Sequence, residues 1–145
     1  MEFAGERVLA VDRERAWSAL TDPAILRAAI PGCESFERTG DEQFSVVMAA
    51  VLGPVKARFR GNVALEDVVV AQSYRLRFEG EGAAAGFARG AANVSLSGEG
   101  DETRLEYSAQ AQIGGRLAQV GSRLIDPAAR RFVEQFFTAF ERLVR

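Results

Sequence analysis

Proton transfer at neutral pH most often uses histidine, and this chain of 145 residues has none. Ser-His-Asp and Cys-His nucleophile activation are removed with it, because both need an imidazole base. With one cysteine, Cys33, neither a closed zinc site nor a His-based metal centre can be assembled. Carboxylate or lysine chemistry remains. Of the carboxylates, Glu34 stands at a strand start, and Asp126 directly precedes Pro127, where it shapes a helix irregularity. No acid and base pair is read from these positions, so no catalytic residue and no metal ligand is assigned. Cys33 reads as a small apolar side chain.

The elements that place these groups follow from periodicity. Glu2 to Val11 reads as a first strand. Asp12 then offers an N-cap before Ala16, Trp17, Ala19 and Leu20, and Asp22 repeats the signal with Pro23 at the first helical position and Pro31-Gly32 as the stop. From there the period is two, with breaks at Gly40-Asp41, Gly53-Pro54, Asp67, Gly82 to Gly86 and Gly98 to Asp101. In the clearest strand Val55, Ala57, Phe59, Gly61, Val63 and Leu65 face one way, and Lys56, Arg58, Arg60 and Asn62 the other. Phe44 to Leu52 is apolar on both phases, which leaves an outer face for a partner to cover. From Leu117 to Val144 the period becomes helical, predicting one helix of roughly 42 Å, with Pro127 as a candidate bend.

Side-chain size then varies along these elements. Gly80 and Gly82, Ala88 and Gly90, Ala109 and Ala111, with Ala50 and Ala57, gather at one end of an antiparallel meander. Ala118, Gly121 and Ser122 in the first helical turns lie over that same end, while Tyr74, Leu76, Val94, Leu96, Leu105, Tyr107, Val63 and Leu65 crowd the other, which is expected to be core. Phe136 and Phe140 are expected there too, gripped by Trp17, Leu20 and Ile25. Two walls trimmed in one place predict an apolar ligand cavity. Its lining is read as Ala57, Phe59, Phe78, Gly80, Gly82, Phe87, Ala88, Gly90, Ala109, Ala111 and Ile113 from the sheet, with Leu117, Val120, Gly121, Leu124 and Ile125 from the helix. Close packing of helix on sheet is the alternative reading of the same residues.

Composition narrows the class. Hydrophobic residues make up 48% and charged ones 26%, which suits a single domain over residues 1–145. A formal charge of −2 argues against nucleic acid as a partner. No signal peptide and no run of about 18 apolar residues is visible, so a cytoplasmic protein is expected, with any membrane contact peripheral. Lys56, Arg58, Arg89, Arg116 and Arg123, near the cavity mouth, are candidates for anionic headgroups.

The order strand, two short helices, meander and long helix resembles the helix-grip fold of the START-like superfamily. More specifically, "IPGCE" (Ile30 to Glu34), "GPVKARFRG" (Gly53 to Gly61), "AAGFARG" (Ala84 to Gly90) and "GGRLAQVGSRLID" (Gly114 to Asp126) resemble the CoxG family of carbon monoxide dehydrogenase subunits over essentially the whole chain. The resemblance implies an α+β fold, a seven-stranded antiparallel sheet wrapped around a long C-terminal helix. It also implies a noncatalytic accessory protein that helps place a molybdenum-containing carbon monoxide dehydrogenase at the cytoplasmic membrane, with a quinone or lipid as ligand and no other cofactor. Many relatives carry a C-terminal extension able to bind membrane beyond the long helix. Two other readings stand beside the carrier: a docking module without ligand, and a START-like cyclase or hydratase.

Overall fold

The computed structural model describes residues 1–98 and 100–145; Glu99, inside the expected Gly98 to Asp101 break, lies outside the described residues. After strand β1 (Glu2–Leu9), Asp12 Oδ1 accepts from the Arg15 amide at 2.7 Å and starts helix α1 (Arg13–Leu20). Asp22 Oδ1 does the same for Ala24 at 2.9 Å, and Pro23 opens helix α2 (Pro23–Ala29).

Six strands follow as a meander: β2 (Cys33–Gly40), β3 (Gln43–Leu52), β4 (Val55–Val69), β5 (Ser73–Glu81), β6 (Phe87–Ser97) and β7 (Thr103–Gly114). With β1 added beside β7, the seven-stranded antiparallel sheet has the order β1-β7-β6-β5-β4-β3-β2. The break expected at Asp67 is instead a bulge: the β4–β5 register shifts between Glu66 and Val69, Asp67 has φ 51°, and the strand runs on to Val69.

The single long helix is also corrected. A four-residue helix α3 (Arg116–Gln119) is separated from α4 (Ser122–Val144) by Gly121 at φ 91°, a backbone conformation that only glycine adopts readily. Pro127 is carried within α4 and marks no break, so the bend lies six residues earlier than its ring suggested.

The main core joins Leu9, Leu96 and Leu105 of the sheet to Ala16, Ala19, Leu20 and Ala29 of the short helices and to Phe137, Phe140 and Val144 of α4. Trp17, Ile25 and Phe136 pack against it, as expected of the wide end of α4. Edge strand β1 is clamped to α4 by Arg7, whose Nη1 donates to Glu134 Oε1 at 2.7 Å and whose Nε lies 3.5 Å from Glu141 Oε1. Its guanidinium sits 5.1 Å from the centre of the Phe137 ring. The Glu134 hydrogen bond is the main reason that its pKa is held above the usual arginine value, followed by burial acting the other way.

Candidate functional site

Register turns the inner face of the sheet into rows of side chains. One row runs Val46, Gly61, Gly80, Ala88, Ile113 across β3 to β7, and the next runs Phe44, Val63, Phe78, Gly90, Ala111. A third holds Leu65, Leu76, Ala92 and Ala109. Beyond it come Tyr74, Val94 and Tyr107, then Leu96 and Leu105, which belong to the main core. Small residues therefore occupy consecutive rows in the middle of the sheet.

These rows lie between two packed clusters. The second cluster forms around Val55, Ala85 and Leu117, with Leu52, Ala57, Phe59, Ile113 and Val120 packed against it, and closes the end of the sheet where α3 begins. Between the clusters Val63, Leu65, Leu76, Phe78, Ala88 and Ala109 face inward yet stay partly exposed, and Ala128 and Phe132 of α4 do likewise; Val63, Leu65 and Leu76, expected at the core end, thus lie outside the main core. A packed core leaves no such exposure, so α4 does not seal these side chains as it seals the main core.

The glycines divide between the two explanations of their size. A Cβ on Gly82 would meet the Phe59 ring, one on Gly90 would meet the Gln110 carbonyl and the Phe78 ring, and one on Gly61 would collide with the backbone of Glu79 and Gly80. Close packing accounts for those three. Gly80 has only the Arg60 carbonyl within 4 Å of its missing Cβ, at 3.7 Å, and Gly121 has nothing. Those two front open space.

The sequence-derived lining thus sorts into groups. Phe78, Gly80, Ala88, Gly90, Ala109 and Ala111 form the inner sheet wall. Ala57, Phe59, Ile113, Leu117 and Val120 form the closed end, Gly82 lies buried under Phe59, and Ile125 is buried in the first turn of α4. Two residues depart. Phe87 stands on the outer face: it pairs with Gly114, its ring occupies the space a Gly114 side chain would need, and Arg89 lies 5.2 Å from its centre. Strand alternation allows only one of Phe87 and Ala88 to face inward, and it is Ala88. Leu124 is 48% exposed and rests with Val120 against the Gly53 turn, at the rim of the hollow. Val55, Ala85 and Leu52 were missed as members of this end; the inward phase of β4 was the signal for Val55, and the alanine run before Gly86 the signal for Ala85, hidden because the turn Ala83–Ala85 has no strand period.

Of the two candidate carboxylates, Glu34 is turned away from this space, and Asp126 is partly buried beside Ile125 at the start of α4. Arg58 reaches across exposed Ala49 to Glu34 in a two-pronged contact, Nε to Oε1 at 2.6 Å and Nη2 to Oε2 at 3.1 Å, so Glu34 is on the outer face. The Arg58 hydrogen bond holds the Glu34 carboxyl below the usual carboxylate range. Burial pushes the Cys33 thiol up, away from reactivity, and it donates to the Ser35 carbonyl at 3.4 Å. On the outward side of β3, Ala49 and Val51 are exposed, Val51 by 68%, while Val47 is partly buried.

A seven-stranded antiparallel sheet, two short helices after the first strand and a long C-terminal helix define a START-like, helix-grip fold. The chain belongs to the CoxG family of carbon monoxide dehydrogenase subunits, whose model matches residues 5–145. A conserved protein from Geobacillus kaustophilus is 27% identical, with a TM-score of 0.92 over 99% of this chain and 95% of that one. A protein from Thermus thermophilus is 21% identical, with a TM-score of 0.71 over 99% and 97% of the two chains. The Zhui aromatase/cyclase from a Streptomyces species is 10% identical, with a TM-score of 0.71 over 99% and 93%, and shares the fold. No curated protein matches the sequence.

Proposed function

We propose that this protein is a noncatalytic accessory to a molybdenum-containing carbon monoxide dehydrogenase. It holds a hydrophobic molecule, a quinone or a lipid, between sheet and α4, and helps link the enzyme to the inner face of the cytoplasmic membrane. The observation that carries the reading is the inner face left partly exposed between two packed clusters, where Gly80, in an inner row, has only the Arg60 carbonyl within 4 Å of its missing Cβ. An apolar molecule seated there gains roughly 25 cal/mol for each Å² taken from water. The family supports the enzyme partner. At the α3 end of the sheet, exposed Val51 and Leu124 stand near exposed Lys56, Arg116 and Arg123, the mixture an anionic membrane surface attracts. No helix among the described residues is long and apolar enough to cross a membrane.

Native mass spectrometry of gently purified protein, followed by organic extraction, tests the carrier. A released quinone or lipid is the expected result. Protein that comes empty, takes up no quinone and gains no stability from it overturns the reading. Exposed Ala49 and Val51 on β3 favour a second reading, a docking module without ligand. A photoreactive group at Val51 that captures the dehydrogenase while the interior stays empty would select it. An enzymatic reading draws on the fold alone and would need a demonstrated turnover that Asp126→Asn abolishes.

A further inference from the structure

The outer face of the sheet holds a separate concavity of roughly 600 Å³ that the carrier role does not use. It follows one register row across five strands: Ala64 on β4, Arg77 on β5, Ala91 on β6, Gln110 on β7 and Glu2 on β1. Ala64 and Ala91 make it concave. They put methyl groups where the rows on either side carry longer side chains, Asn62 and Arg89 on one side and Arg75 on the other.

Three guanidinium groups stand around the β4–β6 half of this trough. Arg77 Nε lies 3.1 Å from Glu66 Oε1, with both side chains well exposed. Arg89 Nε donates to Gln112 Oε1 at 3.1 Å, which orients the group without neutralising it. Arg75 makes no ion pair among the described residues. Glu79 is the one carboxylate lining this half, and Glu2 lies at the far end. Set against Glu66, which holds Arg77, and Glu79, the cross-strand partner of Arg89, the three arginines leave an excess of one positive charge on a chain whose formal net charge is −2.

We propose that the trough binds an extended segment of a partner protein that carries carboxylates where it crosses β4 to β6. Strands about 4.8 Å apart make a five-strand crossing about 19 Å long, the length of about six extended residues. Guanidinium forks match carboxylates two bonds at a time, and the amides of Asn62, Gln110 and Gln112 suit the backbone between them. Glu2 sets direction, because a carboxylate at the β1 end would meet like charge. A flat anionic bilayer would touch the arginine tips, leave the alanine floor empty and press against Glu79. The inference is independent of the ligand between sheet and α4.

The test is an NMR titration of the full chain with a synthetic hexapeptide of three glutamates followed by three neutral residues. Backbone shifts are expected to gather on Asn62 to Ala64, Arg75 to Glu79 and Arg89 to Ala91, to weaken with salt, and to be absent with the lysine counterpart. Arg75→Glu with Arg89→Glu should weaken binding by about tenfold or more at unchanged melting temperature. If that pair unfolds the protein, Arg75→Gln with Arg89→Gln carries the same test. No peptide binding, shifts centred elsewhere, or affinity untouched by the variants overturns the proposal. So do anionic vesicles that shift these residues when the peptide does not.

Discussion

At one end of the interior Leu9, Leu105, Phe140 and Val144 are at most 2% exposed; in the middle, Phe78, Ala88 and Ala109 face the same helix and remain partly open. Both regions are made by the same β5, β6 and β7 strands, with the same alternation and the same register. Only side-chain volume changes along them. Period therefore specifies the sheet, and size specifies where the sheet meets its helix and where it stands off. A protein that needs a container can keep an ordinary fold and thin the residues on one stretch of it, provided another stretch supplies the stability.

The sharpest way to break this contrast is to damage the packed end. Phe140 is 0% exposed and stacks near Phe136, with ring centres 5.7 Å apart. Phe140→Ala should cost about 3 to 5 kcal/mol, measured by denaturant unfolding, while the folded fraction keeps its ligand affinity. Lost affinity in protein that is still folded would mean that the two regions are not separate. Gly61 comes next. Its Cβ would strike the Glu79 and Gly80 backbone, so Gly61→Ala should cost about 1 to 3 kcal/mol by forcing β4 and β5 apart. Wild-type stability in that variant would show that the strands approach less closely than the register implies.

Much of this arrangement was legible before the structure. Asp12, Asp22 and Pro23 announce α1 and α2 by capping chemistry, and the phases of β4, β5 and β7 follow from alternation alone. That small residues become neighbours was legible as well, because alternation and strand order together predict it, but they were expected at the α3 end, which Val55, Ala85 and Leu117 close. The helix break was not legible. Proline advertises a missing donor, yet α4 absorbs Pro127, while the real break needs a positive φ at Gly121 that composition does not distinguish from simple thinness. Phe87 was misplaced against alternation itself: with Ala88 and Gly90 inward, as the sequence already has them, Phe87 must face out. The outer trough escaped because Ala64 and Ala91 lie 27 positions apart and become a floor only through the β4–β5–β6 register.

A gentler probe of the packed end uses pH. Tyr74 is 6% exposed and meets Trp17 edge-on, ring centres 5.5 Å apart, and burial raises its phenol well above the usual value near 10. The folded state then holds a proton that the unfolded chain releases. The stabilising contribution is complete below pH 10 and declines as pH rises from there towards the folded pKa. Chemical denaturation between pH 9 and pH 11.5 should show this decline, and Tyr74→Phe should flatten it. An unchanged slope in the variant would place the Tyr74 hydroxyl in water.

The smallest expected change in stability is the most informative about the hollow. Gly80 is the register neighbour of Gly61, in the same row, and differs from it in having open space before it. Its φ is not positive, so a side chain there carries no backbone strain, whereas the equally open Gly121 at φ 91° would confound the experiment with its own conformational cost. Gly80→Leu should leave unfolding free energy unchanged or slightly raised, since a strand glycine gives way to a residue with less unfolded-state freedom and more apolar surface to bury. The same leucine should reduce quinone or lipid uptake by about tenfold or more, a loss of at least about 1.4 kcal/mol of binding. If instead Gly80→Leu unfolds the protein as Gly61→Ala does, the row is trimmed for contact rather than capacity, and the thin end is only another way of packing.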